Sequence, residues 1–227
     1  LPEVRPCRLA PRGVVLGHRG QPAHDPAFLA GRFTIQDEAS QLVVAFLEPR
    51  PGERILDVCA APGTKATAIA EEIGDAGEVV ALDRNFRRLR LVGRDARRLG
   101  LTNITTSEHD AMRTLRRFAV RGAFDRILVD APCSGLGTLR RNPDARWRVR
   151  PGDPQRLAEI QRAILRNAAA TLRPGGVLVY STCTLLPEEN ERVIESFLSE
   201  TQDFRLVPGD AAPEPTRALV GTDGFLR

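Results

Sequence analysis

The sequence predicts a doubly wound α/β fold, on two observations. From Arg54 onward, short runs rich in valine, isoleucine and leucine alternate with longer amphipathic stretches, the pattern of strand–helix units in a mostly parallel sheet. Several of the short runs end in an aspartate or in a turn of small residues, where open α/β sheets bind their ligands. Strands are expected at 54–58, 78–82, 104–107, 124–129 and 176–180. Helices are expected at 64–73, 86–99, 154–171 and 188–200, the last opened by Pro187 and an acidic first turn.

The first fifty residues differ. Proline and glycine are frequent up to Pro26, and residues 37–47 then have the spacing of one amphipathic helix leading into Pro49-Arg50-Pro51-Gly52. Residues 1–50 are therefore expected to form an arm and a helix, which could also be the end of an upstream region, and residues 51–227 one main domain. Residues 208–215 are expected to be a flexible loop, and no final strand is evident after them.

With 227 residues, 42% of them hydrophobic, the chain can bury the core of one ordinary domain. No apolar run approaches the roughly 20 residues that span a bilayer, and Leu1-Pro2-Glu3-Val4-Arg5-Pro6 lacks the order of a signal peptide. A soluble, cytoplasmic, monomeric protein is expected. The formal charge of +4 suits a polyanionic partner without requiring one. Lys65 is the only lysine, so its place inside a glycine loop stands out. The four cysteines, at 7, 59, 133 and 183, form no Cys-x-x-Cys pair and have no histidine at zinc-ligand spacing, so neither a metal site nor a disulfide framework is expected.

The first strand-to-helix turn is Asp57-Val58-Cys59-Ala60-Ala61-Pro62-Gly63-Thr64-Lys65. Small residues let the backbone approach a ligand, and the helix start offers N–H groups to a carboxylate or a phosphate. Asp83, ending the next strand about 20 residues after Gly63, is placed to accept hydrogen bonds from ribose hydroxyls. Asp110 and Asp130 follow the third and fourth strands in the same way; each alone could equally be a cap or turn residue. The loop is neither Gly-x-Gly-x-x-Gly nor a Gly-Lys-Ser/Thr phosphate cradle, which favours S-adenosylmethionine over a dinucleotide or a nucleoside triphosphate.

Two further strand ends carry cysteine: Asp130-Ala131-Pro132-Cys133-Ser134-Gly135 and Ser181-Thr182-Cys183-Thr184. Either cysteine could be a buried structural residue, but two thiols beside a methyl-donor site answer a specific chemical need. Carbon 5 of cytosine is a poor nucleophile until a thiolate adds at carbon 6, and a carboxyl group such as that of Asp130 can help by hydrogen bonding at ring nitrogen 3. A nicotinamide oxidoreductase would need a glycine-richer turn, and a cysteine hydrolase a motif-placed histidine; His18, His24 and His109 receive no catalytic role. A non-catalytic RNA-binding module of the same fold is the remaining rival.

The chain resembles the Nol-Nop-Sun (RsmB-like) family of RNA cytosine-5 methyltransferases. The resemblance rests on Phe33 to Gln41, on 57–65 as the cofactor loop, on the Asp-Ala-Pro-Cys-Ser-Gly motif at 130–135 and on Ser-Thr-Cys at 181–183. It implies a Rossmann-like class I methyltransferase fold using S-adenosylmethionine, with Cys183 as the nucleophile and Cys133 assisting product release. It also implies contacts to the cofactor from Cys59, Ala60, Ala61, Pro62, Gly63, Thr64, Lys65, Asp83, Asp110 and Asp130. Ribosomal RNA is the implied substrate, with transfer RNA as the alternative. Thr64 departs from the family loop, which usually has a second glycine there.

Arg140, Arg141, Arg146 and Trp147 follow the Pro-Cys loop and are the expected RNA contacts, arginine for phosphates and tryptophan for stacking on a splayed base. Packing of Trp147 into the core is the alternative. The arginines at 84–98 are read as a solvated helix face.

Overall fold

The computed structural model describes residues 3–17, 21–120 and 123–226; Leu1, Pro2, His18 and Arg227 lie outside the described residues. The arm begins with a two-stranded antiparallel hairpin, β1 (Glu3–Pro6) and β2 (Val14–Gly17), followed by a single helical turn, α1 (Pro26–Leu29), and by α2 (Glu38–Leu47). Then come β3 (Arg54–Asp57), α3 (Thr64–Ile73), β4 (Glu78–Asp83), α4 (Phe86–Leu99), β5 (Ile104–Glu108) and β6 (Phe124–Asp130). A turn, α5 (Ala145–Arg148), precedes α6 (Asp153–Ala169), β7 (Leu172–Ser181) and α7 (Glu191–Glu200).

Strands β3 to β7 form one parallel sheet in the order β5-β4-β3-β6-β7. The order reverses beside β3, so the turn after β3 lies at the crevice where such sheets bind ligands. Both faces are covered, which explains why the strands read as continuous apolar runs. Successive residues alternate between two cores: Ile55, Val79, Ala81 and Leu128 pack with Leu47 of α2, Ile69 of α3 and Val92 of α4, whereas Leu56, Val80, Leu82, Ile127 and Val129 pack with Leu165 of α6 and Val193 and Phe197 of α7. Each fully buried leucine or isoleucine contributes roughly 1.5–3 kcal/mol.

Helix α2 is capped by the Asp37 carboxylate, which accepts from Ala39 N–H. It is clamped to the sheet by Arg126 of β6, which donates to the carbonyl of Leu47 at 2.7 Å and to Glu53 at 2.7 Å. The arm in turn docks on α2, where Glu38 accepts the N–H groups of Leu9 and Ala10.

Four expectations are corrected. The arm, in which no strand was expected, holds the β1–β2 hairpin. Strand β7 starts at Leu172, four residues early, with an irregularity in its pairing opposite Phe124 and Arg126. The helix expected over 188–200 is broken: Pro187–Glu189 is a 3₁₀ turn, Asn190 leaves helical geometry (φ −120°, ψ −96°), and α7 begins after it. Residues 208–215 are not a loose loop, because they contain a 3₁₀ turn and bury Ala212, and Thr216 beyond them is buried too. The last described residues add only an isolated bridge, Val220 to Leu226.

Candidate active site

The turn after β3 is held by its neighbours. Ala60 N–H donates to the carbonyl of Leu82, Ala61 N–H to the Asp83 carboxylate at 3.2 Å, and Arg88 reaches from α4 to the Ala61 carbonyl at 2.6 Å. Gly63 ends the turn at φ +119°, and a Cβ there would lie 2.9 Å from Cα of Val92, so only glycine lets α3 start this close to α4. Thr64 opens α3 without disturbing this packing.

Carboxylates crowd the loop. Asp57 is 1% exposed, and among the described residues neither of its oxygens has a well-formed hydrogen bond. Burial above all, and then the charge of Asp130, push its pKa up to about 7. Asp83 accepts from Ala61 and Asn85 N–H groups, tying the loop to the start of α4. Asp130 bridges the two halves of the site, accepting from Lys65 Nζ at 2.8 Å and from Ser181 Oγ at 2.7 Å. Among the described residues Lys65 is the cation bonded to these three acids, through Asp130, so a ligand that brings positive charge, such as a sulfonium and an ammonium group, fits the site. Asp110 turns the chain after β5 by accepting from Met112 N–H, and with Arg84, Asn85, Phe86 and Arg87 it lines an open cleft of about 740 Å³.

The two strand-end cysteines come together. Cys133 Sγ and Cys183 Sγ are 3.2 Å apart, and Cys183 N–H points at Cys133 Sγ at 3.2 Å. The hydrogen bond from the Cys133 thiol lowers the Cys183 pKa to about 7; Lys65 reinforces this, while burial and Asp130 oppose it. The same bond, with burial, pushes Cys133 well above the ordinary thiol range. Cys183 is exposed, and the shifts favour its thiolate over that of the half-buried Cys133. Cys59 differs: burial raises its thiol far above the ordinary value, so it is a packed small residue whose place at the loop is a matter of backbone.

On the outer side of the Cys133 loop, Ser134, Arg141, Asn142, Pro143 and Arg148 border a cavity of about 280 Å³. Trp147 is 78% exposed, which overturns the alternative of core packing, and Arg146 lies over its ring. Arg140 is exposed, while Arg141 is paired with Asp37. His24 is exposed and His109 packs edge-on against Phe118.

Residues 44–226 match the family model described as 16S rRNA methyltransferase RsmB/F. The chain belongs to the RsmB/F family. It is 47% identical over 217 residues to a protein of Synechocystis named probable ribosomal RNA small subunit methyltransferase B, covering 95% of this chain and 48% of that one. The chain thus spans about half the length of the curated relatives it matches. Among solved structures it is similar to NSun6 from Pyrococcus horikoshii with SFG, at 35% identity and a TM-score of 0.72, over 84% of this chain and 50% of the other. A methyltransferase homologue from the same organism superposes with a TM-score of 0.75 at 33% identity, over 87% and 62%. The expected Rossmann-like class I methyltransferase fold is borne out.

Three residues of this RsmB/F site were not singled out in the sequence. Gln161 and Glu189 are both fully buried, and Asn190 is the residue at the helix break. Glutamine at 161 on the apolar stripe of Ala158, Ile164, Leu165 and Ala168 was the available signal, a polar residue at a core position.

Proposed function

We propose that this chain carries the catalytic part of an S-adenosylmethionine-dependent RNA cytosine-5 methyltransferase acting on small-subunit ribosomal RNA. Residues 51–227 are its catalytic domain and residues 1–50 an arm and helix packed on it. The observation that carries this reading is the contact between Cys133 and Cys183, 3.2 Å apart, beside the Lys65–Asp130 pair of the cofactor loop. Family membership and the names of the relatives support the ribosomal substrate.

S-adenosylmethionine, when bound, supplies a sulfonium methyl as the electrophile. The loop from Cys59 to Lys65 with Asp83, Asp110 and Asp130 would hold it, the acids matching its positive charges. Arg140, Arg141, Arg146 and Trp147 would hold the RNA beside the Cys133 loop.

The Cys183 thiolate adds to carbon 6 of the cytosine, forming a C–S bond and moving electron density to carbon 5, which then accepts the methyl. Loss of the carbon 5 proton and cleavage of the C–S bond restore the aromatic base and expel Cys183 as thiolate. The thiol of Cys133 stabilises that thiolate by hydrogen bonding, so it assists both attack and departure. Asp130 is near enough to the thiols to raise the Cys183 pKa, and so lies where a carboxylate can orient the base.

The test is methyl transfer from labelled cofactor to total RNA and to DNA, followed by denaturing gels of the variants. Transfer to RNA alone is expected. Cys183→Ala should abolish it, and Cys133→Ala should accumulate a covalent protein–RNA adduct that survives denaturation. An adduct with Cys183→Ala instead would reverse the two roles.

A further inference from the structure

The two thiols sit on separate strand ends 50 residues apart in sequence, yet their sulfurs touch. The loops bond to each other directly, Ser134 Oγ donating to Thr184 Oγ1 at 2.9 Å and Gly137 N–H to the Cys183 carbonyl at 2.9 Å, and a further set of bonds from each loop converges on one dipeptide. Beside Cys133, the Ser134 N–H donates to Glu189 Oε2 at 2.9 Å. On the other flank, Gln161 Nε2 donates to the Pro132 carbonyl at 2.9 Å and to the same Glu189 oxygen at 3.0 Å. Beside Cys183, Thr182 Oγ1 donates to Asn190 Oδ1 at 2.5 Å, and Asn190 Nδ2 donates to the carbonyls of Thr184 at 3.0 Å and Leu186 at 3.1 Å. The dipeptide is itself anchored, since Tyr180 OH donates to the Glu189 carbonyl at 2.6 Å. Nothing in helix formation asks for this: Asn190 departs from helical geometry at the position where its side chain makes these bonds.

We propose that Glu189 and Asn190, with Gln161, are positioning residues that pin both flanks of each catalytic cysteine and so hold the two thiols in contact. The proposal rests on the cytosine methyltransferase reading for its purpose. Its geometry is independent of substrate. A buried carboxylate is costly, and here Glu189 Oε2 organises the Cys133 loop through two donors, with Oε1 finding no partner among the described residues, while the next residue organises the Cys183 loop. Separating the loops would remove the hydrogen bond from Cys133 on which the reactivity of Cys183 at neutral pH depends.

The test uses the full chain without cofactor or RNA and reads the pH midpoint for alkylation of Cys183 by iodoacetamide, located by peptide mapping. The variants are Asn190→Asp, which turns two donated hydrogen bonds into oxygen–oxygen repulsions at nearly constant volume, and Glu189→Leu, which removes the acceptor of both Cys133-loop bonds at similar volume. Phe197→Leu, in the buried face of α7, is the control for a general loss of stability. Both site variants should raise the midpoint by about one pH unit, toward the ordinary thiol value of about 8.5, while Phe197→Leu lowers the melting temperature and leaves the midpoint in place. In methyl transfer the site variants should lose kcat at least tenfold with KM for the cofactor unchanged. If Asn190→Asp does not fold, Glu189→Leu alone decides. An unmoved midpoint in folded variants, or an equal shift in Phe197→Leu, overturns the proposal. Failure of wild-type methyl transfer with the midpoint shift intact would instead overturn the assigned reaction and leave the clamp standing.

Discussion

At the scale of single residues, the site is governed by where charge is left uncompensated. Asp57 is the clearest case, a buried acid under the cofactor loop whose pKa is pushed up to about 7. A carboxyl whose folded-state pKa lies above its unfolded value of about 3.9 stabilises the fold fully below that unfolded value, and this contribution is lost as pH rises through about 7. Ionised Asp57 therefore weighs against the fold above neutrality. The variant Asp57→Asn, which cannot ionise, should gain stability relative to wild type as pH is raised from about 5 to about 8. Urea unfolding of the cofactor-free proteins across that range checks this, and a pH-independent difference would refute it. Cys183 and Cys133 show the same logic in a pair: their mutual hydrogen bond shifts identical side chains in opposite directions, Cys183 down and Cys133 up.

At the scale of elements, strands β3, β4, β5 and β6 and helices α3 and α4 lie within a residue or so of where the sequence places them, because their signals are local: valine-rich runs, helical spacing, glycine stops. The misses have tertiary causes. Asn190 interrupts what Pro187-Glu188-Glu189-Asn190-Glu191 advertises as a continuous helix, since its bonds to the Cys183 loop outweigh those of one helical turn. The hairpin was hidden because each strand is only four residues long and the arm is rich in proline and glycine. Helix α2 depends on β6 through buried Arg126. Arg126→Met should remove the ion pair to Glu53, which keeps its bond from Arg50 N–H, and the donor to the Leu47 carbonyl, at a cost of about 3 kcal/mol, or roughly 6–12 °C in melting temperature. Calorimetry would show it, and Arg126→Met combined with Glu53→Gln should recover part of the loss. A melting temperature unchanged by Arg126→Met would show that α2 is held by Val44 and Leu47 packing alone.

At the scale of the whole molecule, the sheet's carboxyl edge gathers the loops after β3, β4, β5, β6 and β7, and every acid or thiol assigned to the site comes from one of them. Beside that edge, Trp147 stands exposed next to the Cys133 loop with no part in the core. Trp147→Ala should therefore leave the melting temperature within about 1 °C, as for other surface substitutions. It should weaken RNA binding about tenfold, the size expected for loss of one base stack. Equilibrium binding at fixed salt measures the second effect, and an unchanged affinity would remove Trp147 from the RNA surface. No helix among the described residues is long and apolar enough to cross a membrane.

The doubly wound α/β class, the cofactor turn and the two cysteines were legible in the chain, because apolar periodicity and motif spacing are written in neighbouring residues. That the thiols touch, and what holds them, emerges only from packing. Those outcomes depend on Lys65 meeting Asp130 and on Gln161, Glu189 and Asn190 meeting loops 28 or more residues away or across a chain reversal. Hydrogen-bond geometry and burial of this kind exist only once distant segments are packed, so no local pattern in the chain encodes them.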